Sequence, residues 1–224
     1  MLYYLILTVP PLLLGLWAQW RVKSNFNKYS QIGTRRNMSG AEIARAVLDG
    51  SGCSNVRIEA VNGFLSDHYD PRGKVLRLSP DVYNGRSISA AGVAAHEAGH
   101  AIQDKTNYSM LGLRSTLVPA VNIGSMLGPI LFMAGMVIHF TGLAWIGVIC
   151  FGAAAVFALV TLPVEFDASS RAKKRLAELN LLSSEEVQGV DKVLDAAALT
   201  YVAAAIQAVT QLLYYVMILT NRRD

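Results

Sequence analysis

Four stretches of this chain contain no Asp, Glu, Lys or Arg, and their lengths limit what the rest can become. They cover residues 2–20, 118–140, 143–162 and 196–219. About 20 apolar residues carry a helix across the hydrocarbon core of a bilayer. Within that core only a helix or a closed barrel satisfies every backbone polar group. The pattern therefore predicts a mainly α fold, a membrane-embedded helical bundle. Composition agrees: 53% of the 224 residues are hydrophobic and 16% charged, against about 25% charged in ordinary soluble domains.

The first block has Tyr3, Tyr4, Trp17 and Trp20 near its ends, where ring-bearing side chains suit the interfaces. No basic residue precedes it, so it reads as an anchor rather than a cleaved signal. Pro10 and Pro11 predict a kink near its middle. The second and third blocks are separated by barely a turn and read as a transmembrane hairpin, with His139 at its tip. Gly124 and Gly128 form a small-xxx-small pair suited to close helix packing, and Pro129 predicts a second kink. The fourth block reads as transmembrane or membrane-associated, with Gln207 and Gln211 one turn apart and expected to face the bundle interior. The expected organisation is an anchor over 1–20, a catalytic region over 21–117, a hairpin over 118–162, a polar helical region over 163–197 and a last helix over 198–220.

Charge placement orients this arrangement. Thirteen Lys and Arg fall between residues 21 and 118, five of them at positions 21–36. The positive-inside rule puts this region, and with it 163–197, in the cytosol. Arg222 and Arg223 would then lie outside, which counts mildly against four spans. The net charge of +4 comes with no basic stripe interleaved with aromatics, so no nucleic-acid partner is expected. Two cysteines, Cys53 and Cys150, are too few for a disulfide framework or a thiolate zinc site.

Within the polar regions, Ser39 and Glu42 predict a capping box opening an amphipathic helix on Ile43, Ala46 and Val47, ended by Gly50 and Gly52. Residues 56–60 and 74–79 read as strands, with a turn over Asp67–Gly73 between them. The strand at 74–79 is expected beside the helix at 87–103, with an edge that could pair with an extended peptide. Ser183 or Ser184 is expected to cap a helix beginning with Glu185 and Glu186.

The helix at 87–103 carries the chemistry. His96 and His100 are one turn apart and point the same way, so both imidazoles can reach one metal ion. Glu97 is angled to the same side and can take a proton from an attacking water and deliver it to a leaving amine. A zinc site needs a further protein ligand. His68, His139, Glu165, Asp167 and the carboxylates near 185 are the candidates, and His139 falls on the far membrane face. Glu165 sits where the third span returns to the catalytic side and is expected to begin a helix, with helix capping as its other reading. Asp167 is its rival, since the two cannot both face one ion from a helix. His68 and Tyr69 are candidates for stabilising an oxyanion, with a plain Asx-bonded turn as the competing reading.

Three motifs extend this pattern: His96 to Gln103 reads HEAGHAIQ, Asp67 to Pro71 reads DHYDP and Pro163 to Ser169 reads PVEFDAS. Together they resemble the small bacterial neutral zinc metallopeptidases of the YugP type, over essentially the whole chain. A more distant similarity is to the HtpX and CAAX-protease group. The resemblance implies an HExxH zinc-metallopeptidase core with Zn2+ held by His96, His100 and Glu165, and Glu97 as catalytic base. It also implies a multi-pass protein of the bacterial cell membrane, acting from the cytosolic side on peptides or membrane-protein substrates. In the distant group a glutamate ligand is followed one turn on by an aspartate supporting a zinc histidine. Here that position is Ser169, a departure, and Asp167 could serve only from an irregular helix. Two other classes are compatible with the residues: a non-hydrolytic zinc-binding membrane protein of structural or regulatory role, and a metal-free scaffold or transporter component.

Overall fold

The computed structural model describes residues 2–221, with side chains from residue 5. In chain order the elements are α1 (Leu2–Ser30), α2 (Gly40–Gly50), β1 (Arg57–Ala60), β2 (His68–Asp70), β3 (Val75–Leu78), α3 (Pro80–Tyr83), α4 (Ile88–Lys105), α5 (Ser109–Val137), α6 (Thr141–Glu178) and α7 (Ser184–Thr220). Met1, Arg222 and Arg223, and the side chains of Tyr3 and Tyr4, lie outside the described residues. The chain divides into two compact units, one from residues 2–18, 109–163 and 200–221, the other from Gln19–Tyr108 and Val164–Leu199.

The first unit is built from helix in which Arg114 is the one charged side chain among the described residues. A Cβ added at Gly124 would stand 2.3 Å from the Cys150 carbonyl oxygen, and one at Gly128 would stand 2.8 Å from the Phe151 nitrogen. Only glycine allows α5 and α6 this approach, and close packing is what holds helices together where the solvent is itself apolar. Phe132, Ala144, Val148 and Leu219 form a small buried cluster, in which Phe132 stacks on Tyr215 with ring centroids 4.1 Å apart. Large apolar side chains such as Ile123, Met126, Met133 and Ile149 remain exposed around it. Among the described residues four helices, Leu5–Ser30, Ser109–Val137, Thr141–Glu178 and Ser184–Thr220, are long and apolar enough to cross a membrane. Gln207 does not turn inward as expected: it is exposed and Gln211 half-buried. Ala203 and Ala205 are the buried positions on this part of α7.

The second unit has a conventional core. Ile43, Val47 and Leu48 of α2, Leu76 and Leu78 of β3, Ala94, Ala95 and Ala98 of α4, Leu176 of α6 and Val190 of α7 are buried together. The capping box forms: Ser39 N donates to Glu42 Oε2 at 2.7 Å and Glu42 N to Ser39 Oγ at 3.3 Å. Helix α2 ends at Gly50, and Gly52 at φ +70° turns the chain away. Ser87 caps α4, accepting from Ala90 N.

Three sequence expectations are corrected here. The segment after Asp67 is not all turn. His68–Asp70 is a strand, and the turn follows Asp70, whose Oδ1 accepts from the nitrogens of Arg72 and Gly73 at 3.0 and 3.1 Å. The strand expected to present an edge is the central one: the order is β1-β3-β2, with Leu76 opposite both Ile58 and Tyr69. Both of its hydrogen-bonding sides are used, so a peptide cannot add to it. Glu165 does not begin a helix either. Helix α6 runs unbroken through Pro163, which places Glu165 in its interior and removes the capping reading. Helix α7 is likewise continuous, opened by a capping box in which Ser183 N donates to Glu186 Oε2 at 2.6 Å.

One contact brings α4 to α6. A Cβ at Gly99 would stand 2.5 Å from the Ala168 carbonyl oxygen. Replacing Gly99 by alanine is therefore expected to destabilise the protein by about 1–3 kcal/mol, the usual range for overpacking. Gly112→Ala, where nothing lies within 4 Å, should be neutral or mildly stabilising. Thermal unfolding of the two variants in one detergent checks the contrast. Equal midpoints would mean that the helices can separate without cost.

Candidate metal centre

The Gly99–Ala168 contact organises the groups around it. His96 and His100 stand three residues before and one after Gly99 on α4; Glu165 and Ser169 stand at the same offsets from Ala168 on α6. Residues at these offsets share a helix face, so the contact aims four polar side chains at one another. His96 Nε2 stands 3.1 Å from Glu165 Oε2, and His100 Nε2 stands 3.6 Å from the same oxygen. The two imidazoles meet edge to face with centroids 4.8 Å apart.

This geometry suits a small divalent cation. One donor atom from each of His96, His100 and Glu165 lies within 4.8 Å of the others. Tetrahedral zinc with bonds near 2.1 Å needs donors separated by about 3.4 Å, and the observed 3.1 and 3.6 Å bracket that value. Two imidazoles and a carboxylate are also a donor set that zinc accepts in sites with one position left open. Burial disfavours a charged His100, but hydrogen bonding to Glu165 and the nearby Glu97 carboxylate outweigh it, and its pKa lies above the usual histidine value.

The other ring nitrogens fix how the imidazoles point. His100 Nδ1 lies 2.9 Å from Gln103 Oε1. The Gln103 amide cannot be reversed, because its Nε2 donates to two oxygens, the Val164 carbonyl at 2.7 Å and Asp167 Oδ2 at 2.8 Å. Gln103 must therefore accept from His100 Nδ1–H, which leaves the Nε2 lone pair facing the cluster. Asp167 is itself held by Arg171 Nε at 2.5 Å. His96 Nδ1 meets Ser169 Oγ at 3.1 Å. Outer partners of this kind set the tautomer and orientation of metal-binding histidines.

Glu97 is buried on the same helix and makes no hydrogen bond to a described residue, although its charge is felt at His100. A carboxylate without protein partners is available to a reacting proton.

The remaining candidates lie elsewhere. Asp167 faces Gln103 and Arg171 rather than the cluster. His68 is exposed, with Nδ1 2.8 Å from the Ser66 carbonyl. The Tyr69 hydroxyl donates to Asp104 at 2.6 Å; burial and that bond push its pKa well above the usual tyrosine value. The strand β2 thus commits the Tyr69 hydroxyl to Asp104 of α4. His139 is exposed at the α5–α6 turn, and Glu185 and Glu186 bond Arg35. Gln103 was not singled out from the sequence, although its place three residues after His100 puts it on the same helix face. Ser169 was noted only as a departure, yet its hydroxyl reaches the histidine that an aspartate would serve.

Comparison with known proteins adds an independent line. A family model described as "Putative neutral zinc metallopeptidase" matches residues 4–220. The chain is 50% identical over 221 residues, 99% of its length and 98% of the other's, to a Bacillus subtilis (strain 168) protein described as "Putative membrane protease YugP". No solved structure matches.

The Gln103 bonds generate a prediction. Gln103→Leu should lower zinc affinity about 10–100-fold, the range for lost outer partners, in competition with a chromophoric chelator. Ser169→Ala should cost less, since a water molecule can replace the single hydroxyl that meets His96. Undiminished affinity in Gln103→Leu would mean that the amide does not orient His100.

Proposed function

Because the chain belongs to the neutral zinc metallopeptidase family, we propose that it hydrolyses peptide bonds, with His96, His100 and Glu165 holding a zinc ion and Glu97 as the acid–base group. The observation that carries this reading is the convergence of both Nε2 atoms on one oxygen of Glu165. A zinc ion bound there supplies a Lewis acid that polarises a carbonyl and lowers the pKa of water. Glu97 takes a proton from the water as its oxygen bonds to the carbonyl carbon. Glu97 then delivers that proton to the amide nitrogen as the C–N bond breaks, leaving a carboxylic acid and an amine. Two neutral imidazoles and one carboxylate cancel only half of a divalent charge, so the ligand set keeps the centre electrophilic. Gln103 and Ser169 hold the imidazoles in register throughout.

The substrates proposed are membrane-associated or membrane-proximal proteins, for the protein as a multi-pass component of a bacterial cell membrane. Glu165 follows the uncharged stretch 143–162 by three residues on one continuous helix, a rise of about 4.5 Å. A bond cleaved there belongs to a chain held near the bilayer. The basic residues between 21 and 36 favour a cytosolic catalytic side. In this reading 1–20 anchors the chain, 118–162 is a transmembrane hairpin and 198–220 returns to the membrane, a helical bundle around an HExxH core.

The test separates chemistry from metal binding. Glu97→Gln should lose about 10²–10⁴-fold in peptide hydrolysis while retaining the zinc content of the native chain. Hydrolysis undiminished in this variant would remove Glu97 from the mechanism. Native protein that holds stoichiometric zinc but cleaves no membrane-protein or peptide substrate would favour a structural role for the ion.

A further inference from the structure

The connection between β1 and β2 is uncharged from residue 60 to residue 66 and carries two large apolar side chains at its tip. Phe64 is 54% exposed and Leu65 39%. Leu65 also has φ of 52°, a left-handed conformation that a leucine adopts at a cost. The loop is tied on both sides of these residues. Ser66 Oγ donates to the Gly63 carbonyl at 3.3 Å, and Asp67 Oδ1 accepts from Ser79 N at 2.7 Å. In water, a tethered loop that strains its backbone and exposes two apolar side chains has nothing to gain from doing so.

Its neighbour shows where it stands. The Phe64 ring meets Phe26 of α1 edge-on, centroids 5.6 Å apart, and Phe26 is almost fully buried. Phe26 follows Trp20, the last residue of the uncharged block, by six positions on the same helix, about 9 Å along its axis. The headgroup layer outside the hydrocarbon core is about 5–8 Å deep on each side, and interfacial apolar faces bury about 5–10 Å at that boundary, which places Phe26 at the outer margin of the interface. Trp20 of α1 is exposed as well, six residues before the Phe26 that the Phe64 ring meets. Arg21, Lys23 and Lys28 lie along the same stretch of helix, the charges an anionic headgroup layer attracts.

We infer that the β1–β2 loop is a second membrane contact, inserting Phe64 and Leu65 into the lipid interface beside α1. The contact holds the small sheet against the bilayer surface independently of the spanning helices. The inference rests on α1 crossing the membrane, and the experiment separates the two.

Phe64→Cys, Leu65→Cys and Leu12→Cys are each prepared in a Cys53→Ala, Cys150→Ala background and labelled with an environment-sensitive fluorophore. They are then placed in nanodiscs of phosphatidylethanolamine and phosphatidylglycerol. Labels at 64 and 65 should lose most of their emission to lipid spin-labelled near its headgroup and be shielded from aqueous iodide. The label at 12 should be quenched by lipid spin-labelled deep in its chain. Iodide quenching at 64 and 65 without lipid quenching, with the label at 12 still quenched, would overturn the loop contact and leave the span intact. Shielding at 64 and 65 from both quenchers would also overturn it, because the loop would then be covered by protein, whether substrate or a second copy. Absence of lipid quenching at 12 would remove the spanning helix and the inference together.

Discussion

Gly99 and the Ala168 carbonyl lie at a separation that no side chain could occupy, and the polar centre follows from that contact. Two helices that touch at backbone distance bring the residues flanking the contact within bonding range of each other. The flanking residues here are His96 and His100 on one helix and Glu165 and Ser169 on the other. A wider spacing would leave the carboxylate short of both imidazoles. The small side chains around the contact, Ala94, Ala95, Ala98 and Ala101, are buried with it and keep α4 close to its neighbours along its length.

A buried carboxylate between two imidazoles is costly unless each member is partnered. The structure meets that condition with a directed set of bonds. Gln103 can face only one way, because the Val164 carbonyl and Asp167 both demand its NH2 group, and that choice fixes the His100 tautomer. Among the described residues the wholly enclosed side-chain atoms lacking a partner are Arg45 Nε and Ser51 Oγ, neither of them on His96, His100 or Glu165. The other unit follows a different rule. Many of its outward side chains are large and apolar, and its helices are joined by glycine-mediated backbone contact rather than by a large core.

Much of this was legible in the chain itself. Charge-free blocks announced the long helices, the Ser39–Glu42 pair announced the α2 capping box, and His96-Glu97-x-x-His100 announced two convergent imidazoles. What periodicity could not supply was continuity. Pro163 and the charges after it suggest a break, yet α6 runs through both because packing on the core at Val164, Ala168 and Ala172 outweighs one missing hydrogen bond. Strand order was also beyond reach, since β3 reads as an exposed strand until its two neighbours are placed. Three-residue strands such as His68–Asp70 give no usable alternation, and so Tyr69 could not be assigned to Asp104. Gln103 was legible in principle from its helical offset. Its importance depended on Asp167, a residue on another helix 64 positions away.

X-ray absorption at the zinc edge of the purified, zinc-loaded protein tests the central claim most directly. The account predicts one zinc per chain, two imidazoles in the first shell and the remaining scattering from oxygen at about 2.0–2.2 Å, with no sulfur. Thiolate scattering near 2.3 Å, a single imidazole, or a chain that binds no zinc at all would contradict it.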